Sequence, residues 1–309
     1  MGFDMDFRQI THFVAVYEEG SFSQAARREN CTQPGLSVQI RNLEQRLGVS
    51  LFDRTTRGVE PTVAGKRFYE HCVAILNQVE TARQQMSELS GSVTGTIRIG
   101  MPPSISRGAL PATLSRYTRD FPFVELRLSE AYGGTLADWV SAGEIDIGVV
   151  TRPLDQQGLS QQLLSHQQLV LVSSPDCGRV PLKPVNIADL PPLSLVLSSR
   201  RHAMRDIVDS YLQRVGVTPA AVIDSDGLNT TLEFVRRSNW STITPVTSII
   251  EDLDPTRLCI NPIARPRVGF DYFLIRPTRA PLSAAAEKFV AYLGEELDAI
   301  DRRWRALVT

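Results

Sequence analysis

The spacing of apolar residues near the N-terminus predicts three helices in close succession. Asp6 and Gly20 bound the first helix, and its apolar positions recur at helical intervals: Phe7, Ile10, Phe13 and Val14. Ser21 or Ser23 is expected to cap the second helix, and Thr32 the third. The third helix has a buried stripe formed by Leu36, Ile40, Leu43 and Leu47. Another of its faces is polar and carries Gln33, Ser37 and Arg41.

A strand-like segment and a long helix follow. Residues 51–58 have strand and turn character, which is typical of a wing beside a DNA-reading helix. Thr62 then opens a helix whose apolar residues alternate in steps of four and three: Phe68, Cys72, Ile75, Val79, Ala82, Met86 and Leu89. Because this alternation is the heptad pattern of coiled coils, it favours pairing with the same helix of a second chain. Packing on its own chain is the alternative.

From Thr96 onwards the pattern changes to alternating strands and helices. Strands are predicted at 97–101, 124–128 and 145–150, with helices at 110–117 and 135–142 between them. This β-α-β-α-β order predicts an α/β fold with a parallel sheet and right-handed crossovers. Further elements are predicted at 169–172, 195–197, 203–215, 221–223, 230–237, 270–275 and 284–305. Two α/β lobes fit them better than one large sheet.

Charge and composition narrow the function. The net charge of -1 argues against a general polyanion-binding protein. Between residues 27 and 67, however, eight Arg and Lys residues stand against four Asp and Glu residues, and this basic segment coincides with the helix-turn-helix pattern. The N-terminus shows no signal peptide, and no apolar run has the length of a membrane span. We therefore expect a cytoplasmic protein without a membrane partner.

The cysteines and the absence of catalytic motifs limit the possible chemistry. Cys31, Cys72, Cys177 and Cys259 are scattered, with no metal-ligand spacing, so reduced thiols are expected and no metal or cofactor is predicted. A redox-sensing pair of Cys177 and Cys259 is the alternative. Nucleophile elbows, phosphate-binding loops, zinc-protease motifs and dinucleotide fingerprints are all missing from the sequence, which argues against an enzyme.

Polar side chains around the helix-turn-helix are the candidate DNA contacts. Gln and Arg side chains can form paired hydrogen bonds with base edges, whereas arginines on a wing suit phosphates or the minor groove. The predicted DNA-binding residues are Ser23, Thr32, Gln33, Pro34, Ser37, Gln39, Arg41, Arg54 and Arg57. The alternative is an ordinary solvated helix face. The basic surplus, the wing and the heptad seam favour DNA, because paired reading heads match two half-sites.

These features together resemble the LysR-type transcriptional regulators. The N-terminal matches are Phe13, Gly20-Ser21-Phe22, Ala25-Ala26, Gln33-Pro34, Leu36-Ser37, Gln39-Ile40, Leu43-Glu44, Leu47-Gly48, Leu51-Phe52, Arg54, Arg57, Thr62 and Ala64-Gly65. The remainder is similar to the family's effector-binding region at Ile97-Arg98-Ile99-Gly100, Leu110-Pro111, Phe121-Pro122, Gly143 and Asp146-Ile147-Gly148.

The resemblance implies a division of the whole chain. It places a winged helix-turn-helix at 1–61, a linker and dimerisation helix at 62–90, a hinge at 91–94 and an effector-binding domain at 95–309. That domain would have two lobes resembling type 2 periplasmic binding proteins, with lobe I at about 95–165 and 270–309 and lobe II at about 166–269. An inducer cleft between the lobes and a tetramer built from dimers are also implied.

Two positions depart from the family pattern. Glu29 stands where a leucine usually packs the turn of the helix-turn-helix, so that corner is expected to be more exposed or ion-paired. Asn239-Trp240-Ser241 replaces a Gly-rich turn, which predicts a bulkier wall in the second lobe.

Four residues at strand ends are the candidate effector contacts. Ligands of open α/β sheets bind at the carboxyl ends of strands, beside helix N-termini. Ser104, Thr135 and Arg152 follow the first three strands of the effector region, and His202 would contribute from the second lobe. Free N–H groups, a hydroxyl and a guanidinium suit a carboxylate or another anion. Each of these residues could instead be a helix cap or a surface residue.

The sequence thus predicts a sequence-specific regulator that senses a small, anionic metabolite. Effector binding is expected to change lobe closure, the spacing of the reading heads and DNA bending. Promoter DNA, the effector, a homodimer and homotetramer and, for an activator, RNA polymerase are the expected partners. A solute-binding protein and a redox sensor are the alternatives. The sequence does not identify the effector or the operator. It also does not show whether the protein activates or represses transcription.

Overall fold

The computed structural model describes residues 5–55, 58–88, 93–278 and 281–308, and the chain folds as two compact units. The N-terminal unit contains the elements α1 (Phe7–Glu19), α2 (Phe22–Arg28), α3 (Gln33–Leu47), β1 (Phe52–Thr55), β2 (Gly58–Pro61) and α4 (Val63–Glu88). β1 and β2 form an antiparallel hairpin. This order is a winged helix-turn-helix followed by a long helix, as predicted.

Local capping explains where these helices begin. The Asp6 carboxylate accepts a hydrogen bond at the start of α1 within a capping box that also includes Gln9. Ser21, rather than Ser23, caps α2, because its hydroxyl accepts from the Gln24 N–H at 3.4 Å. The Thr32 hydroxyl accepts from the Gly35 N–H at 3.3 Å and caps α3. Each cap satisfies an N–H group that the helix itself cannot pair.

The turn between α2 and α3 carries Glu29 where the resemblance implies a leucine. Asn30 adopts a left-handed conformation with φ of 51°, which Asn tolerates better than most residues. Glu29 ends α2 with its side chain 25% exposed and lies 4.0 Å from the Arg28 guanidinium. Arg28 pairs more closely with Glu18, at 2.6 Å. The corner is therefore polar and partly solvated, as the glutamate predicts.

The core of the N-terminal unit joins α1, α3, the wing and the first half of α4. Phe13 is fully buried, and its ring lies 4.9 Å from that of Phe68 and 5.2 Å from that of Phe52. Tyr17 stacks on Tyr69 at 3.9 Å. The predicted stripe of α3 belongs to this core, because Leu36, Ile40 and Leu43 are buried in it and Leu47 packs against it. One face of α3 therefore packs against the rest of its domain.

The C-terminal unit alternates strands and helices. Its elements are β3 (Gly95–Met101), α5 (Pro103–Gly108), α6 (Leu110–Asp120), β4 (Val124–Glu130), α7 (Gly133–Ala142), β5 (Ile147–Val150), β6 (Leu159–Ser173), β7 (Ser194–Leu197), α8 (Ala203–Arg214), β8 (Ala221–Asp224), α9 (Leu228–Arg236), β9 (Ser241–Pro245), β10 (Cys259–Pro262), β11 (Gly269–Pro277) and α10 (Ala284–Val308). β3 pairs in parallel with both β4 and β5, as the β-α-β-α-β pattern predicts.

One long strand, β6, connects the halves of this unit. The sheet order is β4-β3-β5-β11-β6-β9-β7-β8, with β10 also paired to β6. Residues 159–168 of β6 pair with β11, whereas residues 169–173 pair with β9 and β10. The division expected at residues 166 and 270 therefore falls within continuous strands rather than in loops. We refer to the β4-β3-β5-β11 side as the first lobe and the β9-β7-β8 side as the second.

Candidate DNA-reading helix and effector cavity

The face of α3 opposite the core is open to solvent. Gln33, Pro34 and Arg41 are exposed, and Ser37 is partly buried. Because α3 turns by about 100° per residue, these side chains lie on adjoining faces away from the buried stripe. The helix therefore presents polar and cationic groups in a row that is long enough to follow a DNA groove.

Other predicted DNA contacts have roles within the protein. The Gln39 side-chain carbonyl accepts a hydrogen bond from the Gln9 amide at 3.3 Å, so it is tied to α1. The Thr32 hydroxyl is engaged in capping α3. Ser23 is exposed in the first turn of α2. The side chain of Arg54 and the whole of Arg57 lie outside the described residues.

The predicted pairing seam of α4 divides into two parts. Cys72 is fully buried in the core of its own domain, and Phe68 packs against that core, so the domain's own packing accounts for these two positions. Ile75, Val79 and Met86 are 38%, 39% and 64% exposed, and Ala82 is also exposed. Leu89 lies outside the described residues. The seam that remains free for a partner is therefore Ile75, Val79, Ala82 and Met86.

A small cavity lies between the two lobes of the C-terminal unit. Its volume is about 90 Å³, several times the volume that one water molecule needs. The first residues of four helices line it: Pro103 and Ser104 of α5, Gly133 of α7, Ala203 and Met204 of α8, and Leu228 of α9. The aliphatic part of the wall comes from Val149, Val150, Val196 and Ile243, and many of the polar groups are the hydroxyls of Ser198, Ser225, Thr231, Thr242, Thr244 and Ser248.

Two of the four predicted effector residues line this cavity. Ser104 is buried at the start of α5, and its hydroxyl shares a 2.6 Å hydrogen bond with the Tyr272 hydroxyl. Burial raises the pKa of Tyr272 to about 12, so this phenol is neutral at physiological pH. His202 lies just before α8 and is 8% exposed. Each lobe thus supplies one of these two residues.

The other two predicted residues lie outside the cavity wall. Thr135 is exposed one position beyond the Gly133-Gly134 start of α7, where its side chain faces solvent. Arg152 is 56% exposed and pairs at 3.1 Å with Asp206 of α8, in a separate groove. Chain proximity to a strand end does not fix the direction of a side chain, so these two residues lie away from the wall. The neighbouring Thr151 lines the cavity instead.

Tyr132 and Asp226 were missed by the sequence reasoning. The Tyr132 ring stacks on His202 with a 3.7 Å separation of ring centroids, and its hydroxyl donates to the Asp226 backbone carbonyl at 2.6 Å. The Asp226 carboxylate lies 3.2 Å from His202 Nε2 and accepts from the Arg201 guanidinium at 2.7 Å. It also accepts from the Ser199 N–H at 2.9 Å. The two contacts of Tyr132 join the lobes beside the cavity.

The Asp226 carboxylate of the cavity wall is paired with Arg201, which lies outside the wall. Among the residues the structure describes, neither Lys nor Arg lines the wall, and Asp226 is the carboxylate there. Burial alone would raise the pKa of Asp226, but hydrogen bonds from Ser199, Arg201 and His202 outweigh it and hold that pKa well below its usual range. Trp240, expected to thicken the wall, packs against the hydrophobic core and Phe234 instead.

Replacing Asp226 with Asn should destabilise the C-terminal unit most at neutral pH. A carboxylate with a lowered pKa stabilises the fold above its ordinary pKa near 3.8, and this contribution is lost as pH falls below that value. We expect a loss of about 1–3 kcal/mol at pH 7, as for hydrogen bonds to a charged group. Melting temperatures of the variant and the wild type would be measured from pH 3 to pH 7. The difference between the two proteins should become smaller as the pH falls.

The matched control for that variant is Glu125→Gln. It removes a carboxylate from an exposed ion pair with Arg127 and should leave the melting temperature unchanged across the same range. An Asp226→Asn variant as stable as the wild type at pH 7 would contradict a structural role for the buried contacts.

The structure brings two distant cysteines together. Cys259 is fully buried in β10 beside the partly exposed Cys177, and its thiol donates to the Arg179 carbonyl at 3.5 Å and to the Asn261 side-chain oxygen at 3.4 Å. The intervening loop is held against the strand, because the Asn261 amide donates to the Val180 and Lys183 carbonyls at 2.8 Å and 3.0 Å. Burial, with the neighbouring Cys177 adding to it, raises the pKa of Cys259 to about 12.

Within the described ranges, the side chains of His, Cys, Asp and Glu form no group suited to a metal ion. Helices in the same part of the chain are too short or too polar to cross a membrane.

Comparisons with known proteins agree with this architecture. The model of the LysR substrate binding domain matches residues 90–298, and that of the bacterial regulatory helix-turn-helix protein, lysR family, matches residues 7–66. The nitrogen assimilation regulatory protein nac of Escherichia coli (strain K12) is 28% identical over 92% of each chain. A probable hydrogen peroxide-inducible genes activator of Streptomyces viridosporus is 28% identical over 94% of this chain and 93% of its own.

A solved structure shares the fold. Full-length CbnR complexed with its target DNA superposes with a TM-score of 0.66 at 22% identity, over 94% of this chain and 100% of CbnR. The winged helix-turn-helix, the two-lobed α/β unit with its cavity and the match of both family models lead to one assignment. The chain belongs to the LysR family of ligand-responsive, DNA-binding transcriptional regulators and is not an enzyme.

Proposed function

We propose that the effector is a small carboxylic acid, or a similar anion, with an apolar body. The cavity between the lobes carries this proposal. Helix N-termini attract anions because their N–H groups are unpaired and the helix dipole is positive there, and α7, α8 and α9 all begin at this wall. Asp226 does not oppose an anion strongly, since the Arg201 guanidinium pairs with it and offsets its charge. The valine and isoleucine side chains suit an apolar body.

Effector binding would shift the equilibrium between open and closed lobes. Tyr132 of the first lobe already contacts His202 and Asp226 of the second. A ligand beside these residues would make more contacts in the closed state than in the open state, and would therefore favour closure. Closure would change the spacing of paired reading heads and hence DNA bending and transcription. An activator would also contact RNA polymerase. This regulation is proposed to occur in the cytoplasm, where promoter DNA is accessible.

DNA recognition is proposed for α3 in the major groove. Gln33, Ser37 and Arg41 would contact base edges or phosphates, while Pro34 faces the groove. Ser23, Thr32, Gln39 and the wing residues Arg54 and Arg57 would contribute to backbone contacts. The Thr32 hydroxyl caps α3, and the Gln39 side chain is hydrogen-bonded to Gln9. Thr32 and Gln39 would therefore also orient the helix.

Assembly is proposed to use two surfaces. The free seam of α4 would pair two chains into a dimer. The effector unit presents edge strands β4 and β8 at opposite ends of its sheet order, and they expose Leu128, Val222 and Ile223. Because exposed apolar edge strands favour further pairing, they support a tetramer formed through the effector units.

A melting-temperature screen with small carboxylic acids tests the effector proposal. An acid that binds should raise the melting temperature of the C-terminal unit. At a concentration of 100 times its Kd, a ligand adds about 2.7 kcal/mol to the free energy of unfolding. The Ser104→Ala variant should lose this shift but retain basal binding to the DNA upstream of the gene. Thr135→Ala removes a hydroxyl outside the cavity and should behave as the wild type. Amides that stabilise as well as the acids would contradict an anionic effector.

The contact between Cys177 and Cys259 favours a second candidate function, a redox response. Peroxide would oxidise the Cys177 thiol to a sulfenic acid, with release of water. Attack by the Cys259 thiol would then form a disulfide and release a second water. The raised pKa of Cys259 slows this second step. The relative from Streptomyces viridosporus bears a name that refers to hydrogen peroxide.

Mass spectrometry after peroxide treatment tests the redox candidate. A disulfide predicts the loss of two hydrogens, a cross-linked peptide containing both cysteines and altered DNA binding that a reductant reverses. Cys177→Ser and Cys259→Ser should abolish this response, whereas Cys31→Ser should not. Retention of the response in both variants, or its absence in the wild type, would rule the candidate out.

A further inference from the structure

One apolar side chain lies in the middle of the solvent-facing side of α3. Val38 is 50% exposed, whereas Leu36, Ile40 and Leu43 of the same helix are at most 2% exposed. At about 100° per residue, Val38 is roughly 150° away from this buried stripe, which is nearly opposite. Pro34 and Arg41 lie within about 60° of it on the same face.

The fold itself does not account for a valine at this position. Val38 is not part of the hydrophobic core of its domain. Valine is also a poorer helix former than Ala, Gln, Lys or Arg, because its branched Cβ loses rotamer freedom against the preceding turn. A solvated helix surface would be more stable with one of those residues, so the position suits an apolar partner outside the chain.

We propose that Val38 contacts the 5-methyl group of a thymine and so makes a thymine part of each operator half-site. In the major groove, the methyl group is the apolar feature that distinguishes T·A from the other pairs, and small apolar side chains recognise it by contact. This inference rests on the proposed placement of α3 in the major groove. Arg41, one turn further along, would supply a polar or phosphate contact on the same side.

Deoxyuridine substitution tests the contact, because it removes the methyl group and preserves base pairing. The operator would be mapped by footprinting the DNA upstream of the gene, and each thymine would then be replaced in turn, symmetrically in both half-sites. For the wild type, one position should weaken binding by about fourfold per half-site, the value of one buried methyl group. Kd would be measured by fluorescence anisotropy at fixed salt.

The Val38→Ala variant completes a double-mutant cycle. It should bind the thymine operator more weakly by a similar factor, and deoxyuridine at the sensitive position should then cause no further loss. Alanine favours helix more than valine, so unfolding of α3 would not explain the loss. Val38→Thr keeps one methyl group and should fall between the two. Val49→Ala, at a valine that is 48% exposed beyond the end of α3, should bind as the wild type.

The outcomes separate this inference from the function on which it rests. If every deoxyuridine operator binds the wild type normally, or if Val38→Ala loses affinity equally for both operators, Val38 does not read a methyl group. If the wild type protects no DNA, or Arg41→Ala and Val38→Ala both bind like the wild type, the placement of α3 in the groove is itself wrong.

Discussion

Replacing Ile75 and Val79 together with glutamate should convert the protein into monomers and nearly abolish binding to an operator with two half-sites. Both side chains are more than one-third exposed on the free seam of α4. Pairing of two chains would bury them, and a glutamate buried in such a seam without a partner is strongly unfavourable. Loss of the second reading head removes an advantage of about 10²–10⁴-fold in affinity.

Light scattering and operator titration would measure the two effects on the same samples. Val180→Glu is the matched control, because it places the same charge on a valine that is 62% exposed in the C-terminal unit. It should leave both the mass and the affinity unchanged. A double variant that remains dimeric would mean that this part of α4 is not the pairing surface. The melting temperature should fall only by the stability that pairing adds, since neither side chain is in the core.

The second large effect is expected for Arg41→Ala. A paired contact from Arg41 to a guanine would be worth about 1–3 kcal/mol of discrimination at that base pair. The variant should therefore bind the operator several-fold to a hundredfold more weakly per half-site and tolerate other bases at one position. Its fold should be intact, because Arg41 is exposed and alanine is a good helix former.

The salt dependence of binding distinguishes the kinds of interaction that Arg41 can make. If Arg41 binds a phosphate, affinity should fall uniformly across sequences, and the slope of log K against log salt should become shallower by about 0.9 for each phosphate that is no longer neutralised. Arg302→Ala removes an equal charge from an exposed site on α10 and should alter neither slope nor specificity. Unchanged binding by Arg41→Ala would remove this residue from the DNA-contacting set.

The helix-turn-helix could be predicted in detail because its signals are local. Thr32, Pro34 and Gly48 mark the ends of α3, and the leucine and isoleucine stripe defines its buried face within fifteen residues. The split of the α4 seam could not be predicted in this way. Cys72 fits the heptad as well as Val79 does, and only the packing of Phe13 and Phe68 shows that the first half of α4 belongs to its own domain's core.

The cavity was predictable only in part, for a related reason. Ser104 and His202 follow strand ends, so a topological rule locates them. Tyr132 and Asp226 meet across 94 residues of sequence, and nothing in either neighbourhood indicates that contact. The Arg152 guanidinium could bind an anion, but it is already paired with the Asp206 carboxylate. The first part of β6, residues 159–168, was missed because Ser and Gln interrupt its apolar alternation.

The continuity of β6 between the two lobes has a mechanical consequence. The β6 strand runs unbroken from one lobe into the other, and at the crossing the Leu169 N–H donates to the Val268 carbonyl at 3.0 Å. Closure would then twist this hydrogen-bonded pair of segments, which would act as a torsion spring. Such a spring would limit the travel of the lobes and restore their rest position once the effector leaves.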